Sequence, residues 1–243
     1  MAVADPDLRE ERRLFRQGYE SVIGCDEVGR GAIAGPVSVG VVAIGSRCGR
    51  FPEGLRDSKM LAPARREGLL PGVVKWASGW AIGESSADEI DDTGIIAGLG
   101  SAAARGIERL VDQGVELSRA VVLLDGKHDW LTPALGPWAA ELTIVTRIKA
   151  DRDCASVSAA SVLAKVGRDG QMVRHHDDFA DYAWDSNKGY GSAAHWAGLD
   201  RVGPSPLHRV TWLSRSREAE ADAVSAQGGP DAGSCRVELA NDG

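Results

Sequence analysis

Five stretches of the chain stay apolar for the length of a strand between turn residues, and the order in which they fall outlines a fold. After a charged opening, "YESVIGCDE" (19–27) reads as a first strand. "PVSVGVVAIG" (36–45), β-branched and rich in valine, reads as a second, with the flexible "GRGAIAG" between them, so an antiparallel pair is predicted. "LAPARREGLLPGVVKWAS" has helical spacing that Pro71 should cut into two pieces, and "GWAIGES" follows as a third, short strand. From Ala87 to about Leu110 apolar residues recur at helical spacing, behind acids that suit a helix N-terminus and across several glycines. "RAVVLLDG" (119–126) and "ELTIVTRIKAD" (141–151) are two more strands, the second feeding the helix "SVSAASVLAKVGRDGQMV".

Three strands that meander and then alternate with helices predict an α/β fold: a mixed five-stranded central sheet flanked by helices, parallel in its second half. A small helical C-terminal portion follows. The chain divides into a charged leader (1–20), one large domain (21–214) and a tail (215–243) whose glycine, alanine and acids predict disorder.

Composition narrows the setting. No stretch has the length of a signal peptide, and nowhere do about 18 apolar residues run together, so a cytoplasmic protein without a membrane partner is expected. Cys25, Cys48, Cys154 and Cys235 form no CxxC pair or metal-ligand spacing and read as reduced, mostly buried thiols. The net charge of −7 argues at first against nucleic acid. Three arginines against six acids put −3 of it in the tail and leave −4 for the rest, and acids gathered to bind cations would count for less.

Such acids stand where predicted strands end: Asp26 and Glu27, Asp125, and Asp151 or its neighbour Asp153. Open α/β sheets build their sites at these ends. If the first, fourth and fifth strands are neighbours, the carboxylates converge on one edge as an all-oxygen ligand set, which suits Mg²⁺ or Mn²⁺ and the two-metal cleavage of a phosphodiester. Adjacent strand residues point to opposite faces, so Asp26 and Glu27 serve one site only if the strand ends or bulges there. "HHDD" (175–178) reads as a solvated helix end.

Taken together and in order, "GCDEVGRGAIAGPV", "DSKMLAPARRE", "LLDG", "IKADRDCASVSAASVLAKVGRD" and "NKGYGSAAHWAGLDRVGPSPLHR" resemble bacterial ribonuclease HII, from roughly Ser21 to Trp212. The resemblance implies an RNase H-like fold and a metal-dependent endonuclease. It would cut RNA in RNA–DNA hybrids and 5′ of single ribonucleotides in duplex DNA, leaving 5′-phosphate and 3′-hydroxyl ends. It maps the four catalytic, metal-binding acids onto Asp26, Glu27, Asp125 and Asp151, preferring Asp151 to Asp153 because the family's acid lies in a "GD" or "AD" pair. It assigns Gly29, Arg30, Gly31 and Tyr190 to reading the 2′-hydroxyl and its junction with DNA. Ser58, Lys59, Lys165, Lys188, His208 and Arg209 resemble its backbone-contacting and supporting residues, although Lys165 could pair with Asp169 instead. The sequence departs from the pattern at Cys25, Met60 and Ala150; Cys25 should act as a small hydrophobe whose oxidation would inhibit.

The rivals are a type 3 ribonuclease H, for whose added N-terminal domain the 23 residues before Gly24 leave no room, and a non-catalytic hybrid-binding protein, which the presence of all four acids disfavours. A monomer is expected. Docking of the tail on a sliding clamp finds no support, because the tail has no paired aromatics.

Overall fold

The computed structural model describes residues 5–214. The chain begins with helix α1 (Arg9–Arg16), then the hairpin of β1 (Ser21–Val28) and β2 (Val37–Gly45), helix α2 (Pro63–Trp76) and β3 (Gly79–Ser85). Helices α3 (Ala87–Thr93) and α4 (Ile95–Asp112) lead to β4 (Ala120–Asp125) and β5 (Thr143–Arg147). The one-turn helix α5 (Ala150–Asp153), the long α6 (Ala155–Asp178), the short α7 (Trp184–Asn187) and α8 (Ala193–Val202) follow.

The sheet runs β3-β2-β1-β4-β5. β2 pairs antiparallel with β1 and β3, and β4 pairs parallel with β1 and β5, which is the mixed sheet the pattern predicts. Alternation sorts the strand side chains between two cores. Ile23, Cys25, Val39, Val41 and Leu124 meet Leu99, Ala103 and Ile107 of α4 on one face. Val22, Val42, Ile44, Val121 and Leu123 meet Val157, Ala160 and Leu163 of α6, with Leu69 and Val73 of α2, on the other. The C-terminal portion forms a third cluster, in which Tyr182, Trp184 and Leu199 close over Ile33, Ala34 and Met172.

Three local readings are corrected. α2 is continuous through Pro71, which lies on its exposed side, where water can satisfy the carbonyl freed one turn earlier. The run from Ala87 is two helices, because Gly94 takes φ 84° between them. The fifth strand stops at Arg147, Lys149 turns the chain at φ 62°, and Asp151 therefore sits on α5 rather than on the strand.

The leader is stitched into the domain. Leu14 is buried in the α6-side core, and the buried Glu11 carboxylate accepts from the amide (2.9 Å) and hydroxyl (2.8 Å) of Ser156 in the first turn of α6. Cys25 and Cys154 are buried free thiols and Cys48 is half-buried. The tail and Cys235 lie outside the described residues.

α6 approaches β1 so closely that a Cβ on Gly24 would collide with the backbone of Ser156. Gly24→Ala should therefore destabilise the fold by about 2 kcal/mol or more, read as a lower denaturation midpoint. An unchanged midpoint would mean that the helix can retreat freely.

Candidate active site at the end of the parallel strands

The registered pairing of β1 with β4 ends at Cys25 opposite Leu124, so Asp26 and Asp125 each stand one residue further on, on the α6 side. Glu27 faces the other way, as strand alternation requires. β1 neither ends nor bulges at this point: Asp26, Glu27 and Val28 pair in unbroken register with Gly40, Val39 and Ser38. On that side of the sheet Glu27 lines a cleft with Asp125, Arg30 and residues of α4, and its charge acts on both Asp26 and Asp125. Asp151 arrives from the fifth strand by way of α5. The turn is held by Asp125 itself, whose Oδ1 accepts from the amides of Ala150 (2.7 Å) and Asp151 (3.4 Å).

Asp26 is buried, and burial raises its pKa well above the ordinary range. Ser161 on α6 opposes the rise by hydrogen bonding, while Glu27, Asp125 and Asp151 add to it by repulsion. Asp125 is raised by burial and then by the Asp151 charge. Asp153 takes no part: Arg152 and Arg147 engage it at 2.7 and 3.5 Å and hold its carboxyl low, so the structure brings Asp151 to the group.

Among the described residues no three His, Cys, Asp or Glu side chains are gathered as a ready metal cage. The donor chemistry nonetheless fits a hard divalent cation: oxygen ligands alone, two of them strained by like charge. A cation already answers that field. Lys59 Nζ lies 3.4 Å from Asp151 Oδ2, and although burial works against its charge, attraction to Asp26, Asp151 and Asp57 leaves its pKa raised. Asp57 caps the turn by accepting from the Lys59 amide at 2.9 Å, and the buried Ser58 and Ser161 hydroxyls are hydrogen-bonded at 2.9 Å. The "DSK" turn is thus fixed to α6 beside Asp26.

Residues 29–36 form the neighbouring loop. Gly29 takes φ 80° above the Arg168 side chain, where a Cβ would clash, whereas Gly31 has open space around it. The first glycine is required by packing, and only the second leaves a free approach to the backbone. Arg30 extends into solvent, paired with Glu27 at 3.3 Å.

His208 and Arg209 are fully buried, which corrects the expectation that they touch nucleic acid and leaves them a supporting role. The Arg209 guanidinium donates to the carbonyls of Gly29 (2.7 Å), Arg30 (3.0 Å) and Gly35 (3.1 and 3.2 Å), and burial lowers its pKa to about 9. Arg168 does the same from α6, donating to Pro36, Ala34 and Lys188 at 2.8, 3.0 and 2.8 Å. The sequence reading gave Arg168 no role. Its only signal was a place in the "AKVGRD" block, and an arginine on a helix looks solvated until the loop it holds is seen.

Tyr190 is 37% exposed, its ring flanked by Lys165 Nζ at 5.8 Å and the Arg168 guanidinium at 5.6 Å. Lys165 also pairs with Asp169 at 2.8 Å, the alternative its spacing allowed. Lys188, in the left-handed region at φ 53°, turns its ammonium back onto the carbonyls of Asp185 and Ser186. Lys59, Arg66, Lys165, Lys188 and Tyr190 line a second cleft, on the opposite side of the carboxylates from the Glu27 cleft. His176 of "HHDD" lies 3.6 Å from Asp185 at the end of α6, away from the carboxylates.

The model of the family described as Ribonuclease HII matches residues 23–215. A Ribonuclease HII of Streptomyces griseus is 44% identical over 213 residues, covering 86% of this chain and 84% of the relative. The crystal structure of the ribonuclease H2 from Pyrococcus horikoshii superposes with a TM-score of 0.61 at 26% identity, covering 83% of this chain and 98% of that one. A Bst ribonuclease HIII in complex with Mn²⁺ has the same fold, with a TM-score of 0.61 at 20% identity over 78% of this chain and 65% of that one.

Replacing Asp26 by Asn keeps its shape and removes one of four crowded charges. In chelator at pH 8 the variant should melt about 2–4 °C above the wild type, the shift expected for relief of about 1 kcal/mol. Added Mg²⁺ should stabilise the wild type more than the variant. A lower melting point for the variant in chelator would mean that the fold favours the Asp26 charge.

Proposed function

The chain belongs to the ribonuclease HII family, whose members are ribonuclease H endonucleases, and on that premise we propose that it cuts duplex DNA on the 5′ side of a single embedded ribonucleotide, as well as RNA in longer hybrids. The observation that carries this reading is the meeting of Asp26, Glu27, Asp125 and Asp151 in one electrostatic group at the end of the parallel strands, next to the loop that presents Gly31 and to Tyr190. These carboxylates would hold Mg²⁺ or Mn²⁺, and a bound pair of such ions supplies Lewis-acid stabilisation of the charge that builds on the phosphoryl oxygens. The Mn²⁺ complex of the HIII neighbour agrees with that donor set.

The remaining residues bind and orient. Lys59, Arg66, Lys165 and Lys188 outnumber Glu67 and Asp169 in the second cleft of a chain whose net charge is −7, and they would carry the phosphate backbone there. A 2′-hydroxyl both donates and accepts, so backbone groups reached past Gly31 can recognise it, while the exposed face of Tyr190 takes the adjoining sugar. Ser58 and Lys59 stand between the two tasks, touching Ser161 and Asp151 respectively. No helix among the described residues is long and apolar enough to cross a membrane.

The test is cleavage of a DNA duplex carrying one ribonucleotide, with both product ends mapped. Cutting should stop in chelator, return with Mg²⁺ or Mn²⁺, and leave 3′-hydroxyl and 5′-phosphate ends. Asp125→Asn should lower kcat at least about a hundredfold, since several kcal/mol of charge stabilisation are lost. The circular dichroism of this variant should not change, because the asparagine oxygen can still accept from the Ala150 amide. Full activity in chelator, or in Asp125→Asn, would refute the assignment. Tyr190→Ala should lose more activity on the single ribonucleotide than on a long hybrid, and equal loss on both would remove Tyr190 from ribose recognition.

A further inference from the structure

Behind Tyr190 lies a buried pair of histidines that the reaction itself does not use. His195, on α8, and His208, beyond it, are both inaccessible to solvent, and their Nε2 atoms lie 2.9 Å apart. Their outer contacts admit one arrangement of protons. The Trp184 indole N–H, which can only donate, points at His195 Nε2 from 3.0 Å, so that nitrogen carries a lone pair. His195 Nδ1 lies 2.9 Å from the Tyr190 carbonyl oxygen, which can only accept, so Nδ1 carries the proton. The Ser205 amide donates to His208 Nδ1 at 2.9 Å, which leaves the His208 proton on Nε2, aimed at His195. Both rings are therefore neutral, and a further proton on either would set N–H against N–H. Their lowered pKa values agree, His208 being depressed to about 4 by burial and by His195.

The two ends of this chain of hydrogen bonds reach the two elements that face the sugar. At one end the Tyr190 carbonyl is saturated, accepting from His195 and, at 2.8 Å, from the Ser192 amide. At the other, His208 pairs through its backbone with Ala34, and its neighbours Leu207 and Arg209 exchange backbone hydrogen bonds with Gly35 and Ile33. Tyr182 and Trp184 pack against both rings, so the relay has no room to reorient.

We infer that His195 and His208 are positioning residues for ribonucleotide recognition: a neutral, tautomer-locked relay that fixes the Tyr190 backbone relative to the 29–36 loop, and so fixes the ring against the bound sugar. This rests on Tyr190 reading the sugar, as proposed above. The relay touches none of the four carboxylates, so its loss should loosen recognition and spare hydrolysis.

Kinetics on two substrates, a single-ribonucleotide duplex and a long hybrid, test the inference with His195→Phe, His195→Asn and Tyr190→Ala. His195→Phe fills the site but removes both ring nitrogens. It should lower kcat/KM on the single ribonucleotide about tenfold more than on the hybrid, a difference carried by one lost hydrogen-bonded contact. His195→Asn can still donate to the Tyr190 carbonyl and should recover part of that loss. In a Tyr190→Ala background, His195→Phe should add no further discrimination. Selective loss in Tyr190→Ala with equal losses on both substrates in His195→Phe would overturn the relay and leave the sugar-reading role intact. Equal losses in Tyr190→Ala would overturn the role of Tyr190 itself. Independently of folding in any variant, ¹⁵N imidazole spectra of the wild type at pH 6–7 should show a neutral His195 protonated on Nδ1 and a neutral His208 protonated on Nε2. His195 protonated on Nε2 would refute the relay.

Discussion

The burial of Asp26 beside three other carboxylates is the constraint around which the rest of the structure is arranged. A buried acid among like charges is costly unless something of opposite charge or hydrogen-bonding capacity faces it. Ser161 on α6 supplies a hydrogen bond and Lys59 supplies a charge. For Ser161 to reach, α6 must lie almost on β1, which Gly24 permits. For Lys59 to reach, the "DSK" turn must be pinned, which Asp57 and the Ser58–Ser161 hydrogen bond accomplish. Asp125 spends its own oxygen on the amides of Ala150 and Asp151, so one ligand candidate builds the turn that delivers another.

The loop beside the carboxylates is shaped by two buried cations. Arg168 and Arg209 donate to backbone carbonyls of the 29–36 loop and of Lys188, and their fixed forks define the loop's shape more sharply than flexible side chains could. Neither is paired with a carboxylate in those contacts, so positive charge remains beneath the loop. In the second cleft Lys59, Arg66, Lys165 and Lys188 outnumber Glu67 and Asp169, so the local balance of charge is opposite in sign to the net −7 of the chain.

The sequence by itself determined the strands of the sheet and its mixed character, and it marked the acids that stand at strand ends. The β-branched run "PVSVGVVAIG" and the strand-length apolar runs at "AVVLL" and "TIVTR" are local signals that survive without tertiary context, and acids at or just beyond such runs mark the sheet's end. Local signals misled where tertiary packing or solvent set the outcome. Pro71 failed to break α2 because it faces water, and the fifth strand ended early because Lys149 reverses the chain. Strand alternation correctly turned Glu27 away from Asp26, but only the fold showed that Glu27 and Asp125 line one cleft without a bulge in the strand. Spacing alone left Asp151 and Asp153 equivalent, and the fold separates them because Arg147 and Arg152 engage Asp153. The fold alone moved His208 and Arg209 from the surface to the interior, and it set Arg168 against the Ala34 carbonyl and His195 against the Tyr190 carbonyl. Burial and proton placement arise from contacts between residues far apart in the chain, and no spacing within one segment encodes them.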